Sequence, residues 1–271
     1  MLAEFRNPSN VIKIIISMKS IRLLLLPILT ILSTLAVFGD NDRVFEMRTY
    51  YANEGKLDDL LTRFRDHTVA LFEKHGMENV GYFVPAENTE NTLVYFLSYP
   101  SREARQVSWK AFSADSDWKA AFAASKVNGK LVGKVENRFL TFADYSPKLK
   151  IKNAKSPRLF ELRTYTAAEG MLEHLDNRFE QDTIRIFKKH GMTNVAYWHP
   201  MEDQEGHGNT LVYLLAFDSK EAQDKAWDGF RNDPDWKAVA KRSTEKAGGG
   251  LLVTKGVKSI SLNPADFSPM Q

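Results

Sequence analysis

From residue 44 onward the chain switches between two hydrophobic rhythms. Val44 to Tyr51 is β-rich and alternates with a period of two, which predicts a strand. After Glu54-Gly55 the positions Leu57, Leu60, Leu61, Phe64, Thr68, Leu71 and Phe72 recur at helical spacing, which predicts an amphipathic helix. It stops at His75-Gly76, where glycine suits a left-handed cap. Val80 to Val84 and Thr92 to Ser98 read as strands joined by a polar loop. Ser101 opens a second helix carrying Trp109 and Phe112 on one face, and Asp115 is placed as the N-cap of a short third one. Lys134 to Phe142 supplies the last strand. The order β-α-β-β-α-β is ferredoxin-like, an antiparallel sheet with helices on one face only.

The same pattern then occurs again. Residues 45–85 overlie 160–200 at a constant shift of 115 without a gap, and 22 of those 41 positions are identical. Phe45-Glu46-Met47-Arg48-Thr49-Tyr50 matches Phe160-Glu161-Leu162-Arg163-Thr164-Tyr165, and Lys74-His75-Gly76-Met77 matches Lys189-His190-Gly191-Met192. Three extra residues in the second copy move the shift to 118, at which Trp109, Phe112 and Asp117-Trp118-Lys119 match Trp227, Phe230 and Asp235-Trp236-Lys237. The chain therefore divides into one unit over 44–147, a basic linker over 148–158 and a second unit over 159–269. Each sheet has one face without helices. Two such faces can close on each other, so the expected fold is α+β: two tandem ferredoxin-like (βαββαβ) units forming an intramolecular α+β barrel, a pseudo-dimer within one chain. Higher oligomers stay open.

Ahead of the units, Met18-Lys19-Ser20-Ile21-Arg22 is a short basic segment followed by a 16-residue apolar run from Leu23 to Phe38, with small residues at Ala36 and Gly39. This is the layout of a secretory signal peptide over residues 1–39, with 1–17 as an upstream extension and cleavage after Gly39, or after Ala36. Export to the periplasm or outside the cell is expected. Retention as an uncleaved N-terminal anchor is the alternative, although the run is short for a span.

Charge follows the same division. The formal +3 of the chain lies in residues 1–39, and residues 40–271 hold 33 basic and 33 acidic side chains. No global field draws in nucleic acid or anionic lipid. Cysteine is absent, which removes disulfides and thiolate chemistry.

Candidate chemistry concentrates on the repeated first strand. Glu46, Arg48 and Tyr50 share one face, as do Glu161, Arg163 and Tyr165. If the apolar face of Phe45, Met47 and Thr49 meets the helices, these polar triplets point toward the barrel interior or its rim. There they would bind a ligand, or simply pair and bridge the two units. His75 and His190 sit at helix C-termini, where capping accounts for them. The copies diverge where Phe83 becomes Trp198 and Val84 becomes His199, ahead of the loop Met201 to His207. Trp198 and His199 are added to the ligand-binding candidates. The loop matches no recognised metal spacing, so no metal site and no cofactor are expected. Tyr82, Tyr95, Tyr197 and Tyr213 are expected to fill core and barrel.

The Glu-x-Arg-Thr-Tyr strand, the Glu-Gly helix start, the Lys-His-Gly-Met helix end and the Asp-Trp-Lys segment, in this order in both halves, resemble the NIPSNAP family. The resemblance implies the dimeric α+β barrel fold. It leaves the chemistry open, because that superfamily holds cofactor-independent monooxygenases and haem-handling enzymes beside members without assigned activity. The expectation drawn is a binding barrel of unassigned biochemistry, holding a small apolar or aromatic ligand between its units; a monooxygenase or haem-handling enzyme is the alternative.

Overall fold

A computed structural model of the chain describes residues 43–151 and 157–271. The leader and residues 152–156 of the linker lie outside the described residues. In the first unit, β1 (Val44–Ala52) leads into a long helix made of α1 (Leu57–Arg63), a widened turn over Phe64–Thr68 and α2 (Val69–Lys74). Then follow β2 (Glu78–Pro85), β3 (Thr92–Tyr99), α3 (Arg102–Ala114), α4 (Ser116–Ala124) and β4 (Val132–Phe142). The second unit repeats this as β5 (Leu159–Ala167), α5 (Leu172–Arg178), a widened turn over Phe179–Thr183, α6 (Ile184–Lys189), β6 (Thr193–Pro200), β7 (Thr210–Phe217), α7 (Lys220–Asn232), α8 (Pro234–Ala247) and β8 (Leu252–Pro264).

The strands close into one barrel in the order β1-β3-β2-β8-β5-β7-β6-β4, every neighbouring pair antiparallel. Within each unit the pairing is long. Between units it is short, three residue pairs in β2–β8 and three in β4–β6. The seams are therefore held mainly by what lies between the two sheets. Phe45, Phe83, Phe96, Phe160, Leu140, Leu262 and Trp198 form that buried core. Separate clusters lie between each sheet and its own helices, around Phe64, Phe72, Tyr82 and Tyr95 in the first unit and Phe179, Phe187, Tyr197 and Tyr213 in the second. The tyrosines thus fill the helix–sheet layers rather than the barrel.

The widened turns have a visible cause. Val69 and Ile184 direct their backbone N–H groups to the carbonyls of Phe64 and Phe179, five residues back. The hydroxyls of Thr68 and Thr183 donate to the carbonyls of Arg63 and Arg178, at 3.1 Å in both. A π-type turn disturbs the regular ladder, and each threonine satisfies a carbonyl there. Ser101 and Ser219 cap their helices by accepting from Ala104 N–H and Ala222 N–H. Asp115 and Asp233 cap α4 and α8, with Pro234 at the first helical position.

Candidate functional site

The first strand of each unit presents the opposite faces to those expected. Phe45 and Met47 point into the barrel, and Glu46, Arg48 and Tyr50 point out, under the helices. The filled part of the inter-sheet core is covered by both sheets and takes apolar side chains. The helix layer can bring donors to a carboxylate, and it does so. Glu46 is fully buried and receives Arg105 Nη2 at 2.8 Å, Arg105 Nε at 3.0 Å, Trp109 Nε1 at 3.2 Å, Tyr99 Oη at 3.1 Å and Arg48 Nη1 at 2.5 Å. Burial works against this charge, but Arg105 and Arg48 outweigh it and hold the carboxyl below the usual range. Arg48 in turn lies 4.6 Å from the Trp109 ring centroid.

The second unit repeats the strand and changes its surroundings. Arg105, Tyr99, Asn137 and Phe139 are replaced by Gln223, Phe217, Ser259 and Ser261. Glu161 is held by Trp227 Nε1 at 2.6 Å, Gln223 Nε2 at 2.7 Å, Ser259 Oγ at 2.5 Å and Arg163. The smaller side chains leave a polar groove of about 720 Å3 over this carboxylate. The residues that decide the difference, Arg105 and Gln223, were legible only as one of several unmatched positions in helices that share Trp109/Trp227 and Phe112/Phe230.

Trp198 lies wholly inside the barrel, stacked on Phe96 (ring centroids 5.4 Å apart, 15° between planes) and on Phe142 (6.1 Å, 11°). His199, its neighbour, points outward, not into the barrel. It lines a side pocket of about 620 Å3 with Tyr145, Asp176 and His207. Tyr145 Oη donates to Asp176 Oδ1 at 2.6 Å, and His199 Nε2 faces Asp176 Oδ2 at 3.3 Å. His199 Nδ1 faces the Thr210 carbonyl at 2.9 Å. Both ring nitrogens therefore meet acceptors, a geometry that only the doubly protonated ring satisfies. Burial lowers the pKa of His199, but the Asp176 carboxylate and the Thr210 carbonyl more than offset this and raise it above the ordinary histidine value. At the matching place over the first unit's sheet, Leu61 and Val84 of that unit and Phe267 from the end of the second are all apolar and pack against one core cluster. Sequence reasoning had His199 but missed Tyr145 and Asp176, which are 31 residues apart.

His75 and His190 lie in the helix layer, outside the barrel. Each binds the carboxylate that caps the last helix of its unit, Nε2 to Oδ2, at 2.7 Å for Asp115 on α4 and 2.6 Å for Asp233 on α8. The Met201–His207 loop docks on the first unit, where Asp203 accepts from Arg102 Nη2 at 3.0 Å and Gln204 Oε1 from Phe139 N–H at 3.1 Å. Among the described residues no group of three or more histidines and carboxylates is placed to hold a metal, and no helix is long and apolar enough to cross a membrane.

The barrel interior is filled unevenly. The Phe and Trp core occupies one part, and the remainder opens as a cavity of about 700 Å3. Met47, Thr49 and Val94 wall it from the first unit, and Leu162, Thr164 and Ile260 from the second. Glu136, Arg138 and Lys258 stand among its lining residues.

A ferredoxin-like pair closed face to face, with helices outside and a cavity between the sheets, defines a dimeric α+β barrel built within one chain. The family to which it belongs follows from the two halves, because the NIPSNAP family model matches residues 45–147 and again 160–269. The chain belongs to the NIPSNAP family. It is similar to a NipSnap homolog of Dictyostelium discoideum, 24% identical over 214 residues that cover 78% of this chain and 86% of the relative. Solved structures with the same fold include a putative monooxygenase from Lactobacillus acidophilus (TM-score 0.54, 12% identity, covering 83% of this chain and 94% of that one). Another is a putative monooxygenase from Fusobacterium nucleatum (TM-score 0.54, 11% identity, 83% and 93% covered).

Proposed function

We propose that this protein is an exported, small-ligand-binding α+β barrel that holds its ligand in the cavity between the two units. The observation that carries this reading is the unfilled part of the barrel, about 700 Å3 walled by both units. That is within the size range of small-molecule sites. Its lining combines apolar Met47, Val94, Leu162 and Ile260 with the hydroxyls of Thr49 and Thr164 and a few charges. Such a wall suits an aromatic or apolar body bearing a polar end. The basic segment and apolar run ahead of the units support export.

The monooxygenase named for the two solved structures draws, for this chain, on fold alone. A cofactor-independent enzyme of that kind needs a base with a free lone pair beside an apolar cavity. His199 is outside the barrel with both nitrogens committed, so binding is the better-supported reading.

The test uses a fluorescent naphthalene probe titrated into the mature protein, followed by the Thr164→Trp variant, which fills the cavity from a partly exposed wall position. Saturable binding at one site, lost in Thr164→Trp with far-UV circular dichroism and the urea midpoint unchanged, is expected. No binding, or binding indifferent to the filler, would overturn the reading. Native mass spectrometry of the protein as isolated identifies any retained ligand and the mature N-terminus; a retained Met18 would remove the secretory part.

A further inference from the structure

The residue at the entrance to the second widened turn, Arg178, is the starting point. Its guanidinium lies 5.3 Å from the Trp236 ring centroid. Its Nε is buried without a hydrogen-bond partner, and burial lowers its pKa with only tyrosines nearby to offset this. Among the described residues Arg178 has no ion pair and no side-chain hydrogen bond. A sequestered cation without a counter-charge is costly, and the remedy is usually a partner.

The matching Arg63 of the first unit shares the buried, unpartnered Nε and a pKa lowered by burial, so what sets the second unit apart is the set of side chains around the guanidinium. Arg63 sits against the Trp118 and Phe122 rings, and its Nη1 donates to Ser125 Oγ at 3.3 Å. Around it the helix carries Asp59 and Asp66, and α4 stops at Ala124. In the second unit those two acids are His174 and Gln181, Ala124 is replaced by Arg242, and α8 runs on to Ala247, bringing Lys246. These changes shift the same place toward positive charge, offset in part by His67 becoming Asp182 and Lys126 becoming Thr244. They do so around a pocket of about 170 Å3 lined by His174, Arg178, Asp182, Arg242, Ser243 and Lys246. Asp182 is spoken for, since its carboxylate accepts from Arg242 Nη2 at 2.6 Å and lies 3.7 Å from Arg185 Nη2. That leaves Arg178 and Lys246 as cations without a carboxylate partner among the described residues.

We infer that this pocket is a binding site for a phosphate group, carried by Arg178, Arg242 and Lys246 and present in the second unit only. The guanidinium of Arg178 offers a planar fork to two phosphate oxygens, and Lys246 supplies a mobile point charge at the mouth. A volume of about 170 Å3 accepts one tetrahedral oxyanion with a few waters, each of about 30 Å3. The site is separate from the barrel cavity and shares no lining residue with it.

The experiment titrates inorganic phosphate into the mature protein, with chloride at matched ionic strength as control, followed by 31P line width and by the Arg178 Nε–Hε signal. Saturable binding to phosphate and not to chloride is expected, and Arg242→Ser with Lys246→Ser should weaken it about tenfold or more, as loss of charge-assisted contacts does. Arg178→Lys keeps the charge and loses the fork, so it too should weaken binding. A parallel titration with glycerol phosphate separates the sources: tighter binding than inorganic phosphate assigns the site to a phosphorylated small molecule, and equal binding assigns it to free phosphate. Should Arg178→Lys not fold, the doubly substituted protein decides, because Arg242 is largely exposed. Phosphate no better than chloride, or binding unchanged in the double variant, overturns the inference.

Discussion

Glu46 and Glu161 occupy the same place in two copies of one strand, yet their charges are balanced differently. Arg48 and Arg105 both reach Glu46, whereas among the described residues Arg163 is the one cation on Glu161, the other donors being Trp227, Gln223 and Ser259. Arg163→Ala should therefore cost about 3–5 kcal/mol, as removal of one partner of a buried pair does. Arg48→Ala leaves Arg105 in place and should cost nearer 1.5–3 kcal/mol. Urea denaturation of the two variants checks this, and equal losses would refute the asymmetry. His199 gives a pH signature. Its folded pKa is raised, so its contribution to stability is complete below about pH 6.5 and is lost as the pH rises through the folded value. The stability difference between the wild type and His199→Gln should thus shrink from pH 6 toward pH 9, and a constant difference would count against the imidazolium.

At the scale of elements, the helix layer of each unit is tied by one carboxylate. Asp233 caps α8 by accepting from Asp235 N–H at 2.8 Å while also binding Lys189 at 2.8 Å and His190 at 2.6 Å. Lys189 foremost, then His190, holds its carboxyl well below the usual range. A depressed carboxylate stabilises above the ordinary aspartate value, near 3.9, and the contribution is lost as pH falls through the folded one. At pH 7 the urea midpoint should fall from wild type to Asp233→Asn, which retains a capping oxygen, and further to Asp233→Ala. The gap between wild type and Asp233→Asn should narrow in acid. These elements were readable in the sequence because capping, glycine stops and apolar spacing are local. The widened turns at Phe64–Thr68 and Phe179–Thr183 were not, since the apolar spacing around them is satisfied by an ordinary helix.

The whole molecule depends on burial between two sheets whose backbone pairing across the seams is short. Residues 43–151 expressed alone would expose Phe45, Phe83 and Phe96, which lie within 1% of fully buried in the intact chain. That fragment should self-associate into a homodimer that rebuilds the barrel, as light scattering coupled to gel filtration would show. A folded monomer would contradict the closure described here. By itself the sequence determined the duplication, the order of elements and the barrel, because periodicity, caps and repeat spacing are properties of neighbours along the chain. Which face of β1 and β5 looks inward was decided by tertiary structure. Alternation defines two faces and cannot choose between them, and the choice rested on Arg105 and Trp109 arriving from a helix more than fifty residues away. The Tyr145–Asp176–His199 cluster, the groove over Glu161 and the basic pocket at Arg178 arise in the same way, from side chains that become neighbours only once the units are folded and closed.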